Sequence, residues 1–129
     1  MTKYVIDSWA WIEYLQAAPK SEKIKQVLED SESENYTSVV SLAEVVSKLT
    51  QRQKDTSIAI QAIRALSRTV ELNQDLAIAT GLIHAEVRKT VHDFGFGDAF
   101  VLALARQENL KILTGDPDFK HFKETVFIS

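Results

Sequence analysis

Two short β-prone runs that each end at or next to an acid constrain this chain more than any other feature. Tyr4, Val5 and Ile6 stop at Asp7, after which Trp9, Ile12 and Leu15 recur at helical spacing; Lys111 to Thr114 stops at Gly115-Asp116. Between these runs, Ile24, Val27 and Leu28 mark a helix. Tyr36, Thr37 and Val39 mark a short strand or extended turn, and Leu42, Val45, Val46 and Leu49 a further helical stripe. Ile58, Ile63 and Leu66 predict another helix, Thr69 to Leu72 a third strand, and Asn73 an N-cap for a long helix carrying Leu76, Ala79, Leu82, Ile83 and Val87. Phe94-Gly95-Phe96-Gly97 reads as a loop, Ala99 to Ala105 as an apolar helix and Val126 to Ile128 as a closing strand. Strands alternating with helices through short connections predict an α/β fold whose mainly parallel sheet is buried on both faces.

The punctuation predicts one domain over residues 1–129: Gly 4 and Pro 2 leave no linker, and no segment repeats. No stretch has the apolar length of a membrane span. The N-terminal MTKYVIDSWAW carries an acid where a signal peptide carries its apolar region, so a soluble cytoplasmic protein with no membrane partner is expected. With Cys 0, thiolate catalysis and cysteine zinc sites are excluded, and any metal must be held by oxygen or imidazole. A formal net charge of -3 argues against a protein that coats nucleic acid with its whole surface, while allowing a local basic patch.

Parallel sheets of this kind bind ligands in the crevice beyond the carboxyl ends of their strands. Asp7 and Asp116 follow strands and should project there; Glu44 and Asp98 sit near predicted helix starts beside them. Each acid also has a local explanation. Ser41-Leu42-Ala43-Glu44 matches a capping box, Asp98 can complement a helix dipole, Asp116 can make an Asx turn, and Asp118 can cap the short turn holding Phe119 and Phe122. Asp7 is hardest to explain locally, since an acid ending a buried strand loses solvation without an obvious backbone donor. If the four meet, two carboxylates about 5 Å apart repel by about 3 kcal/mol at an effective dielectric of roughly 20. Such a cluster must take up protons or bind cations, and hard oxygen ligands select Mg²⁺ or Mn²⁺. Carboxylate-held divalent ions suit phosphodiester hydrolysis.

Val5-Ile6-Asp7-Ser8, Ser41-Leu42-Ala43-Glu44, Gly97-Asp98-Ala99 and Leu113-Thr114-Gly115-Asp116-Pro117-Asp118-Phe119, in this order over almost the whole chain, resemble the PIN-domain ribonucleases, in particular the small VapC-type toxins of toxin–antitoxin pairs. The resemblance implies a three-layer α/β/α fold with a mainly parallel central sheet. It further implies that Asp7, Glu44, Asp98 and Asp116 form an acidic quartet that binds Mg²⁺ or Mn²⁺ and activates water to cut single-stranded or structured RNA. Thr114 falls on the hydroxyl residue supporting the last acid, Ser8 on the small hydroxyl residue after the first, and Asp118 on an accessory position. A homodimer and a small antitoxin partner are also implied, and metal ligation by His84, His92 or His121 is not.

RNA requires positive charge beside the acids. Lys48 and Arg52, four apart on one helix, are the first candidates, with Arg88, Lys89 and Arg106 behind them. Trp9, Trp11 and Tyr14 can be read as base-stacking platforms, but Trp9 is expected in the core and Trp11 at a dimer contact. Other readings are a housekeeping RNA-processing nuclease, a phosphate-accepting receiver domain, a metal-dependent phosphomonoesterase and a non-catalytic binding module. A receiver would want an adjacent acid pair after the first strand and a lysine after the last functional one, whereas Asp7 stands alone and Thr114-Gly115-Asp116 lacks the lysine. A phosphomonoesterase would want a second acid two positions after Asp7, where Trp9 stands.

Overall fold

Successive side chains of a strand point to opposite faces of the sheet, which fixes the helices that each can meet. In the computed structural model, which describes residues 1–129, the chain runs β1 (Thr2–Ile6), α1 (Ser8–Leu15), α2 (Ser21–Leu28), β2 (Ser33–Ser38), α3 (Val39–Gln51), α4 (Thr56–Leu66), β3 (Arg68–Val70), α5 (Gln74–Val87), α6 (Phe96–Glu108), β4 (Lys111–Thr114), a 3₁₀ turn (Pro117–Phe119) and β5 (Thr125–Phe127). The five strands form one sheet in the order β3-β2-β1-β4-β5, and every neighbouring pair is parallel.

Val5 of β1 and Ile112 of β4 are paired in register and enter one apolar cluster, with Leu76 of α5 and the buried run Ala99 to Ala105 of α6. Their neighbours Ile6 and Leu113 point the other way, into a second cluster with Ala10 and Trp11 of α1, Ile24 and Leu28 of α2, Val45 and Leu49 of α3, and Ala59 and Ile63 of α4. The period of two thus generates the three layers, α1 to α4 on one face and α5 with α6 on the other. A fully apolar stretch of α6 follows from that position, because a helix packed on several sides has no solvent stripe to keep polar.

The connections through α1 to α4 step the chain from β1 out to β3, and the connection through α5 and α6 carries it back across to β4. Connections departing in opposite directions leave a crevice at the carboxyl ends of β1 and β4. Buried polar groups lock the layers beside it. The Trp11 indole donates to Thr37 Oγ1 at 3.0 Å, and the Asn35 amide donates to the carbonyls of Leu28 and Leu66 at the ends of α2 and α4. Asn73 accepts from the Leu76 amide at 2.8 Å, capping α5 as expected.

Three local expectations are corrected. Helix α3 begins at Val39, because Ser38 caps it by accepting from the Ser41 amide at 2.9 Å; the Ser41–Glu44 capping box does not form, and Glu44 lies in the second turn. Trp11 is fully buried rather than at a surface contact, and the half-buried tryptophan is Trp9. The turn at Pro117–Phe119 is capped by Asp116, which accepts from the Asp118 amide at 2.9 Å, and not by Asp118.

Candidate active site

Asp7 leaves β1 with its amide still donating to the Leu113 carbonyl at 3.1 Å, and its backbone caps α1 in an extended conformation. Its carboxylate does not cap that helix. It accepts instead from the Thr114 hydroxyl at 2.7 Å, the two residues being 3% and 0% exposed. Thr114 Oγ1 in turn accepts from the Asp116 amide at 3.0 Å, so one hydroxyl ties the ends of β1 and β4 together and aims both acids into the crevice.

The other acids arrive from helices. Asp98 lies in the first turn of α6 and accepts from the Gly95 amide at 3.0 Å, in a place where the helix dipole favours negative charge. Glu44 reaches the same turn from α3. A Cβ at Gly97 would lie 2.6 Å from Glu44 Oε2, so the glycine is what lets this carboxylate lie against α6. Asp118 completes the group: single carboxylate oxygens of Asp98, Asp116 and Asp118 lie within 4.8 Å of one another.

This crowding is expressed in protonation. The Asp7 carboxyl is pushed up to about 7, first by burial, against the opposing Thr114 hydrogen bond, and then by repulsion from Asp98, Asp116 and Glu44. Asp98 is raised to about 6, again chiefly by burial, with the Gly95 amide opposing and Asp116, Glu44 and Asp118 adding repulsion. Glu44 is an exposed residue, yet desolvation raises its carboxyl, while the Ser8 hydroxyl and Lys48 act in the opposite direction. Asp118 is raised by desolvation, then by Asp116 and by Asp93, an acid that sequence reasoning did not single out. Five acids from four segments therefore share one field. An all-oxygen donor set whose buried members resist ionisation unaided fits a hard divalent cation, which would repay both the desolvation and the mutual repulsion.

A cleft of about 660 Å³ opens from these acids along α3. Asp7, Ser8, Glu44 and Asp116 line one part of it, and Lys48 and Arg52 line another. Arg52 is held there by donating to Gln16 Oε1 at 2.9 Å. Arg88, Lys89 and Arg106 do not line it; Lys89 pairs with Glu86 at 2.9 Å and Arg106 with Glu124 at 3.2 Å. His92 and His121 are exposed, and His84 stacks on Phe96 with ring centroids 4.0 Å apart.

The PIN domain family model matches residues 4–125, a span that includes all five acids. The chain belongs to the PIN domain family. Membership replaces the receiver-domain reading. No curated protein matches the sequence. Among solved structures, the fold of this PIN domain is similar to that of a toxin–antitoxin complex chain from Klebsiella pneumoniae, at 19% identity and a TM-score of 0.73, covering 98% of each chain. It is also similar to VapC20 of Mycobacterium tuberculosis, a sarcin–ricin-loop-cleaving toxin, at 20% identity and a TM-score of 0.71, covering 94% of this chain and 97% of that one. A third similar structure is VapBC2 of Rickettsia felis bound to a fragment of its promoter DNA, at 13% identity and a TM-score of 0.72, covering 98% and 97%. No helix is long and apolar enough to cross a membrane.

Proposed function

We propose that residues 1–129 act as one metal-dependent endoribonuclease domain that hydrolyses phosphodiester bonds of single-stranded or structured RNA in the cytoplasm. The observation that carries the reading is the convergence of Asp98, Asp116 and Asp118 within 4.8 Å, beside the buried Asp7 and next to a cleft lined by Lys48 and Arg52. Asp7, Glu44, Asp98 and Asp116 would hold Mg²⁺ or Mn²⁺, with Asp118 as an accessory ligand. A divalent ion so held supplies a water of lowered pKa and countercharge for the departing oxygen.

The protein's own groups do the rest. Thr114 orients Asp7 and Asp116 through its two hydrogen bonds, and the Ser8 hydroxyl favours the ionised form of Glu44. Lys48 and Arg52 draw the phosphate backbone along α3 and set its register relative to the acids. In the hydrolysis, the water oxygen bonds to phosphorus, the P–O bond to the next nucleotide breaks, and the proton lost by water is balanced by one gained on the leaving oxygen.

In the cell, this activity suits the toxin of a toxin–antitoxin pair, held in check by a small antitoxin; the similarity in fold to toxin structures supports that role over a housekeeping one. Ile78 and Leu82, one turn apart on α5 and 58% and 70% exposed, offer an apolar face for a homodimer. The test is cleavage of single-stranded RNA with Mn²⁺ present and with excess EDTA. Wild-type protein should cut only with the ion and Asp98→Asn should not cut; full activity in EDTA would remove the mechanism.

A further inference from the structure

Trp9 packs in part against the core of α1 to α4, and its remaining, half-exposed surface faces the cleft of the acids, where core packing does not account for it. It stands two residues after Asp7, on the first turn of α1, and it is the one aromatic residue lining the cleft that also holds Asp7, Glu44 and Asp116. The other aromatic residues of α1 are engaged elsewhere. Trp11 is buried against Thr37, and Tyr14 donates to Glu29 at 3.0 Å.

The ring is held in a fixed position. A Cβ built on Gly115 would lie 2.4, 2.6 and 2.7 Å from three adjacent atoms of the Trp9 six-membered ring. Near-equal distances to three neighbouring atoms are those of a point above the ring face, since approach in the ring plane would leave the outer two much farther away. One indole face therefore rests on the backbone between Thr114 and Asp116, and any side chain at 115 would lift it off. The Lys20 ammonium lies over the ring, 5.9 Å from its centroid, on an exposed side chain whose place a stacked base would take. A rigid aromatic surface, half-exposed, with cations nearby and a phosphodiester-cutting site next to it, has the composition of a single-strand stacking platform.

We propose that Trp9 stacks on a nucleobase flanking the scissile phosphate, and so fixes which nucleotide the acids address. The inference rests on the ribonuclease reading above and adds to it a named contact with the substrate base. Stacking on an aromatic side chain changes affinity by about five- to a hundred-fold per base, and it requires a base at one position while tolerating any of the four.

A protein–RNA mutant cycle tests it. A short single-stranded oligoribonucleotide with a mapped cut site is compared with copies carrying one abasic residue at each position around that site. With wild-type protein and Mn²⁺, one abasic position should lower kcat/KM by about ten-fold. Trp9→Leu should lose a similar factor on the intact RNA and lose nothing more at that abasic position. Trp9→Phe, which keeps a smaller ring, should fall between, and melting curves establish that both variants fold. A Trp9→Leu enzyme that keeps the full abasic penalty, or one unchanged on intact RNA, overturns the proposal while leaving the nuclease reading intact. Wild-type protein that cuts no RNA at all overturns both, and does so before any variant is compared.

Discussion

Replacing Asp7 with Asn should stabilise the metal-free protein, by an amount that depends on pH in a calculable way. The carboxyl ordinarily titrates near 3.8 and is pushed to about 7 in the fold. Between those values the unfolded chain has given up this proton while the folded chain retains it, so the unfolded state binds fewer protons and stability falls as pH rises. The loss is complete above the folded value. At about 1.36 kcal/mol per pKa unit, the shift amounts to about 4 kcal/mol at pH 8.5 but only about 2 kcal/mol at pH 5, where the unfolded carboxyl is little above its own midpoint. Asn carries no charge, keeps the shape, can still accept from Thr114, and offers its amide protons to the surrounding carboxylates. Urea unfolding of both proteins in EDTA should therefore show the variant's advantage growing by about 2 kcal/mol between pH 5 and pH 8.5. Parallel stability curves across that range would refute the claim that burial and repulsion hold this proton. Mg²⁺ at pH 8.5 should restore stability to wild-type protein far more than to the variant.

Four further outcomes follow from the same geometry. Thr114→Val removes the hydroxyl bonded to both Asp7 and the Asp116 amide; it should cost about 1–3 kcal/mol in thermal or urea unfolding and shift the acidic limb of the pH–rate profile to higher pH. Gly97→Ala should separate folding from function. The new methyl meets only the far end of Glu44, so helix stability should hold or rise by about 0.5–1 kcal/mol, while displacement of Glu44 lowers Mn²⁺-dependent cleavage. Lys48→Ala and Arg52→Ala should each weaken binding of single-stranded RNA and flatten the slope of log K against log salt by about 0.7, as measured by fluorescence anisotropy. Leu82→Glu should turn a dimer into a monomer in light scattering without changing the melting temperature by more than a few degrees.

What could be read from the sequence was whatever depends on periodicity and chain order. The run before Asp7 and the run before Gly115-Asp116 had to be strands, and their pairing in a parallel sheet put both acids at one end. Lys111 to Thr114 reproduces β4 to the residue. Reading failed where two local solutions were chemically equivalent. Ser38 and Ser41 both precede the apolar stripe that starts at Leu42, and the one that caps the helix is decided by where β2 ends, a matter of pairing with β1 and β3. That outcome frees Glu44 from capping and delivers it to the cleft. The tryptophans pose the same problem, since residues two apart on a helix face nearly opposite ways and one must go inward. Thr37, a partner for the buried indole N–H, lies 26 residues further along the chain and settles it for Trp11. The repulsion between Asp118 and Asp93 carries no sequence signal for a related reason: it acts between residues brought together by folding, and no period marks it.

The proposed chemistry requires this acidic crevice to hold a divalent cation. Titration of Mn²⁺ into the protein, followed by the loss of the free-ion electron paramagnetic resonance signal, measures that directly. Wild-type protein should take up Mn²⁺ with an affinity reduced at least ten-fold in Asp98→Asn and abolished in Asp98→Asn/Asp116→Asn. Undiminished uptake by the double variant would mean the ion sits elsewhere, and the crevice would lose its chemistry.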